Sequence, residues 1–126
     1  MKKQLSTTNA PAAIGPYSQG VDVNGHVFIS GQLPIDSATG ETAEGGIKGQ
    51  TEQIFKNIAA ILKEADMTLD NVVKTTVFLT DMADFTDMNE VYAKQFSGVF
   101  PSRSAFAVKA LPKNAQIEIE VIAMRK

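Results

Sequence analysis

Residues 117–124, Ile-Glu-Ile-Glu-Val-Ile-Ala-Met, alternate isoleucine with glutamate twice and then run wholly apolar. Successive side chains of a strand point to opposite faces, so this alternation fits a strand and not a helix. It sets Ile117, Ile119, Val121 and Ala123 on one face and Glu118, Glu120, Ile122 and Met124 on the other. Pro101-Ser102-Arg103-Ser104-Ala105-Phe106-Ala107-Val108 reads as a neighbouring strand. Arg103 and Glu118 are then ionic groups inside stretches that otherwise look buried. Burying an unpaired charge is costly, so each needs a partner, solvent or a ligand. A small carboxylate would satisfy Arg103.

The remaining elements follow from punctuation and periodicity. Residues 9–20 carry two prolines and two glycines and form ordered loop, with Tyr17 where loop becomes strand. Asn24-Gly25 lies between Val21-Asp22-Val23 and Val27-Phe28-Ile29, which predicts a tight hairpin with the second strand running to Gln32. Pro34 to Gly46 is polar and glycine-containing, a surface connection. Ile54, Phe55, Ile58, Ala59, Ile61, Leu62 and Ala65 recur at helical spacing and predict a helix over 48–66.

Residues 72–79 are β-branched and aromatic and predict a strand. Asp84 is placed to cap a second helix, with Phe85, Met88, Tyr92 and Phe96 along one face and Gly98 and Pro101 ending it. A short strand near Lys3 to Ser6 completes the series.

Helices interleaved with strands in this order predict an α+β fold, with two helices on one face of a mixed sheet. At 126 residues the chain fits a single domain, residues 1–126. Its 44% hydrophobic and 21% charged residues are those of a globular protein. Two helices cannot cover both faces of a sheet that is apolar on each, so the second face is expected to meet another copy of the chain.

Several function classes fall away on composition. A net charge of -2 without long basic runs gives no footprint for nucleic acid. The absence of cysteine excludes disulfides, thiolate zinc sites and a cysteine nucleophile, and the single histidine, His26, argues against a protein metal cage. The polar run Gln4 to Asn9 is not a signal-peptide core, and Ile58 to Leu62, the longest aliphatic run, is too short for a bilayer. A soluble cytoplasmic protein with no membrane partner is the expectation.

Asn9 to Gly20, Ser30-Gly31-Gln32 with Pro34, Val73 to Phe78 with Asp81, Asn89, Pro101 to Ser104, and Leu111-Pro112-Lys113 followed by Ile117 to Glu120 form an ordered set of motifs. Over nearly the whole length this set resembles the RidA family of reactive-intermediate deaminases, also called YjgF/YER057c/UK114. The resemblance implies a chorismate-mutase-like fold and a homotrimer with its sites between subunits. It also implies cofactor-free hydrolysis of 2-enamino and 2-imino acids, such as 2-aminoacrylate, to 2-oxo acids and ammonia. By position, Arg103 would hold the substrate carboxylate and Glu118 would position the attacking water. Tyr17, Ser30, Gly31, Asn89 and Ala105 would form the remaining wall. Many deaminating members have cysteine directly after the Arg-Ser pair, where this chain has Ala105. The family role there is partly a backbone contact, so activity is expected to survive.

Arginine suits that role because its planar fork binds carboxylates bidentately and stays charged. Its plain alternative is a salt bridge to Glu118 or Glu120. Glu120 itself reads better as an interface or lining charge. Tyr17 has an alternative as an interface aromatic, Ser30-Gly31 as a strand-end kink, and Asn89 as a capping or solvated residue. Gly45-Gly46-Ile47-Lys48-Gly49 lacks the spacing and ending of a phosphate loop. Two other functional classes stand beside the deaminase: a non-enzymatic regulatory protein that binds small carboxylates, which Ala105 keeps open, and an RNA-cleaving protein, which the acidic balance disfavours.

Overall fold

The computed structural model describes residues 1–126. Asn24 and Gly25 both take positive φ, 53° and 85°, so the chain reverses tightly between β2 (Gly20–Val23) and β3 (His26–Gln32), as the sequence predicts. Asp22 Oδ1 accepts the Gly25 N–H at 2.8 Å and closes the turn. The short strand β1 (Lys3–Leu5) pairs antiparallel with β2. The connection after Pro34 holds a small ribbon, β4 (Ile35–Asp36) with β5 (Glu41–Thr42), where the sequence reads only as surface loop.

Helix α1 spans Gly46–Lys63, shifted towards the N-terminus from the predicted 48–66. Gly45, at φ 101°, turns the chain into the helix two residues early. Beyond Lys63 the N–H groups of Glu64, Ala65 and Asp66 bond three residues back, and Asp66 takes φ 57°, which closes the end as a tight turn.

Strand β6 (Val72–Leu79) follows, then helix α2 (Phe85–Ala93), β7 (Ser102–Ala107) and β8 (Ile117–Met124). Asp84 stands at the N-cap position of α2 without acting as a cap. Its backbone is already helical (φ -85°, ψ -1°) and its side chain caps nothing. Asp81, in extended conformation, instead accepts the Ala83 N–H at 2.9 Å at the head of a 3-10 turn leading into α2. Phe96 lies past the end of α2 but still packs on Phe55 and Tyr92.

The six-stranded sheet has the order β1-β2-β3-β8-β6-β7. The strands bearing Arg103 and Glu118 are therefore not neighbours, because β6 lies between them. The physical reason is the β6-α2-β7 crossover, which lays β7 parallel along β6, while β8 takes the other side of β6 antiparallel. As an edge strand, β7 is largely exposed rather than buried.

One sheet face carries the core. Ile117, Ile119, Val121 and Ala123 of β8, with Val77 and Leu79 of β6 and Val27 and Ile29 of β3, pack under Ile54, Phe55, Ile58, Ile61 and Leu62 of α1 and Met88 and Tyr92 of α2. Neither helix is long and apolar enough to cross a membrane. The opposite face has no helix over it. Phe28, Phe106 and Met124 are exposed there, and Phe78 meets Phe106 edge to face at 5.3 Å. Glu118, Glu120, Ile122 and Met124 share that face, as the period-two reading predicts.

Gly49, in the first turn of α1, lies so close to the loop before it that an added Cβ would overlap the Glu44 backbone carbonyl. A carbonyl cannot rotate aside as a side-chain tip does. Gly49→Ala is therefore expected to destabilise the fold by about 1–3 kcal/mol, despite alanine's better helix propensity. Urea denaturation should show a lower midpoint, and a midpoint equal to or above wild type would contradict this packing.

Candidate active site

Arg103 projects from β7 towards α2. Its Nη1 donates to Asn89 Oδ1 at 2.6 Å, and its guanidinium carbon lies 4.7 Å from the Tyr92 ring centroid and 5.4 Å from that of Phe85. The two ion pairs of the chain are Lys48–Glu90 and Arg125–Asp22, so Arg103 has no carboxylate partner. The salt bridge to Glu118 or Glu120 is not formed.

Strand register explains why. Arg103 stands opposite Thr75, which is buried beneath α2, whereas Glu118 stands opposite Phe78 on the uncovered face. Side chains on opposite faces of one sheet cannot meet. Ala105, two residues along β7, shares the Arg103 face and packs half-buried against the core.

Glu118 lies with a second group of predicted residues. A Cβ built on Gly31 would overlap the Glu118 carboxylate, so the missing side chain at Gly31 is what makes room for it. Partial burial raises the Glu118 pKa above its ordinary value, and repulsion from Glu120 raises it further. The β3–β8 pairing shifts between Ile29 and Gln32, so Ser30 and Gly31 sit at an irregularity rather than in a regular ladder.

Ser30 Oγ donates to the Ser18 carbonyl at 2.7 Å, and the Ser30 N–H bonds the Gln19 carbonyl at 3.0 Å. These bonds fasten the Tyr17 loop to β3. Tyr17 and Ser30 then line a hollow of about 580 Å³ with Pro16, Ser18 and Phe28. Phe28 also borders a smaller hollow of about 340 Å³ with Lys74, Thr76 and Glu120.

The structure thus gathers the predicted residues into two groups. Arg103, Asn89 and Ala105 lie at the β7–α2 edge, and Tyr17, Ser30, Gly31 and Glu118 lie around the end of β3. Asn89 holds the guanidinium, a use more specific than lining a wall. No group of three His, Asp or Glu side chains converges as metal ligands would.

Two contributors escape the sequence reading. Buried Gln19 accepts the Thr7 N–H and donates to the carbonyls of Thr7, Ala10 and Pro11, which folds the loop carrying Tyr17. Tyr92 reads only as core. Thr75, a hydroxyl in an apolar strand that needs a buried partner, is the one available signal for it.

Comparison with known proteins extends this geometry. Residues 7–125 match the family described as Endoribonuclease L-PSP. The mouse protein named 2-iminobutanoate/2-iminopropanoate deaminase is 48% identical over 125 residues, covering 99% of this chain and 93% of its own. A Lactococcus lactis protein named putative regulator AldR is 54% identical over 121 residues, 96% of each chain. The crystal structure of E. coli TdcF with bound serine superposes with a TM-score of 0.94 at 42% identity, covering 98% of this chain and 99% of that one. Agreement of this depth in both sequence and fold, over nearly every residue, means that the chain belongs to the Endoribonuclease L-PSP family, the RidA group whose motifs it carries.

Proposed function

We propose that the protein hydrolyses 2-imino acids, formed from 2-enamino acids such as 2-aminoacrylate, to 2-oxo acids and ammonia. Arg103 holds the substrate carboxylate and Glu118 positions the water. The observation that carries this reading is a cation steadied by Asn89 yet left without an anion. The name of the mouse relative supports the reaction class. The serine bound by TdcF, a small molecule with nitrogen beside a carboxylate, supports the ligand class. A net charge of -2 also favours a small anion over a polyphosphate backbone.

Water adds to the imine carbon to give a carbinolamine. The C–N bond then breaks, ammonia leaves and a carbonyl forms. The imine carbon is activated by its own carboxyl neighbour, so orienting one water supplies much of the rate. The Glu118 carboxylate accepts a hydrogen bond from that water and aims its lone pair.

Because Arg103 and Glu118 face opposite sides of the sheet, one copy cannot complete the site. In this reading the β7–α2 edge of one copy meets the Tyr17–Ser30–Gly31–Glu118 surface of the next. Such a head-to-tail contact generates a ring when its rotation closes, and a homotrimer is the ring that the family resemblance implies. A cytoplasmic setting and chemistry without a cofactor belong to the same reading.

The name of the L. lactis relative favours a second reading, regulation by carboxylate binding without turnover. Binding of 2-oxobutanoate through Arg103, with no acceleration of imine hydrolysis, would select it.

With 2-aminoacrylate generated by a dehydratase, pyruvate release should accelerate in the presence of the protein. Arg103→Ala should lower kcat/KM about a hundredfold or more, from the loss of two charge-assisted hydrogen bonds. Undiminished acceleration by that variant would defeat the assignment.

Glu118→Gln should separate activity from stability. A raised carboxyl pKa means that the folded state favours the protonated form. Its contribution is complete below the ordinary carboxylate range and is lost as pH rises through the folded-state value. The variant should therefore be less active, yet melt higher than wild type at neutral pH, with the difference shrinking on acidification. Thermal melts across that range check the sign, and a gain that grows towards acid pH would contradict it.

A further inference from the structure

Resting on the deaminase reading, we propose that Tyr92 and Phe85 are positioning residues for Arg103: their rings hold the guanidinium so that its Nε–Nη2 edge faces an incoming carboxylate. Phe85, Asn89 and Tyr92 stand at i, i+4 and i+7 of α2, one stripe of the helix. The stripe gives the guanidinium two aromatic contacts and one amide oxygen. Asn89 takes Nη1, and no hydrogen bond within the chain uses Nε or Nη2. Those two atoms carry the parallel N–H pair that matches a carboxylate.

An aromatic face is well suited to this task. It attracts the cation through its quadrupole without occupying any N–H donor. A glutamate in the same place would neutralise the arginine and compete with the substrate for its donors. A free arginine, conversely, would lose its rotamer freedom on every binding event.

The Tyr92 ring is itself fixed. Its hydroxyl shares a hydrogen bond of 2.8 Å with Thr75 Oγ1, and Thr75 is fully buried. Phe55 meets the ring edge-on at 5.6 Å, and Phe96 lies against it at 5.1 Å. Thr75 is also the register partner of Arg103 across β6 and β7. The same strand pairing therefore places the arginine and anchors the ring beneath it.

Calorimetry with 2-oxobutanoate, paired with steady-state deamination, tests the assignment in Tyr92→Leu, Phe85→Leu, Tyr92→Phe and Arg103→Ala. Each leucine variant should raise the dissociation constant about tenfold, equivalent to about 1.4 kcal/mol. KM should rise with it while kcat changes less, because the rings act on the carboxylate and not on the reacting carbon. Tyr92→Phe keeps the ring and should stay within about twofold of wild type. Leucine variants that bind like wild type while Arg103→Ala does not would overturn this inference and leave the deaminase reading standing. A Tyr92→Phe as weak as Tyr92→Leu would also overturn it, since the hydroxyl and not the ring would then matter. Binding by Arg103→Ala equal to wild type would overturn both. Should Tyr92→Leu fail to fold, Phe85→Leu decides alone, because Phe85 is only partly buried.

Discussion

The pairing of β6 with two different partners governs what this chain can do. On one side the parallel register sets Arg103 against Thr75, and on the other the antiparallel register sets Glu118 against Phe78. Thr75 and Phe78 are three positions apart on one strand, an odd number, so they point to opposite faces. The two charges inherit that opposition. A slip of one residue in either pairing would bring both to one face, where they could neutralise each other. Register here keeps a cation and an anion from meeting within the protomer, and that leaves each free for other work.

The two charged groups are maintained differently. Arg103 is exposed on an edge strand and stays charged whatever its surroundings, so aromatic faces and one amide suffice to direct it. Glu118 is half-buried, crowded by Glu120 and accommodated only because Gly31 has no side chain. Desolvation and like charge both oppose its ionised form. In the deaminase reading this locally unfavourable carboxylate, with no ion-pair partner in its own chain, is the group that positions the water.

Local elements were legible in the sequence wherever backbone chemistry or period determines them. Asn24-Gly25 predicted its turn, and the alternation of β8 predicted which residues lie in the core. What the sequence missed depends on pairings between distant segments. The Arg103 and Glu118 strands read as neighbours because both are apolar and follow one another, whereas the α2 crossover inserts β6 between them. A 3-10 turn precedes α2, so the side chain that caps is Asp81 at the head of that turn and not Asp84 at the helix's own N-cap position, and turn type is set by only a few residues. Tyr92 fits the apolar stripe of α2 so well that its second contact, to a cation on another element, leaves no trace in periodicity. The candidate residues came from the resemblance, and the structure adds contacts that the sequence does not reveal: Asn89 bonds the arginine, and Ser30 donates its hydroxyl proton to the Ser18 carbonyl.

The two edges of the sheet differ in how they meet solvent. β1 is three residues long and opens on Lys3, features that discourage pairing with another chain. β7 is twice that length, and within it only Arg103 is charged, with Phe106 exposed beside the uncovered aromatic face. An unprotected edge next to an apolar face is a liability in a free monomer and an asset in a contact surface. In the deaminase reading function and assembly converge on the same strand, where a copy that covers β7 also comes up against Arg103. A second copy presenting its Tyr17 loop and Glu118 would bury the liability and complete the site in one step. In that reading the incomplete site and the unguarded edge are a single feature of the fold.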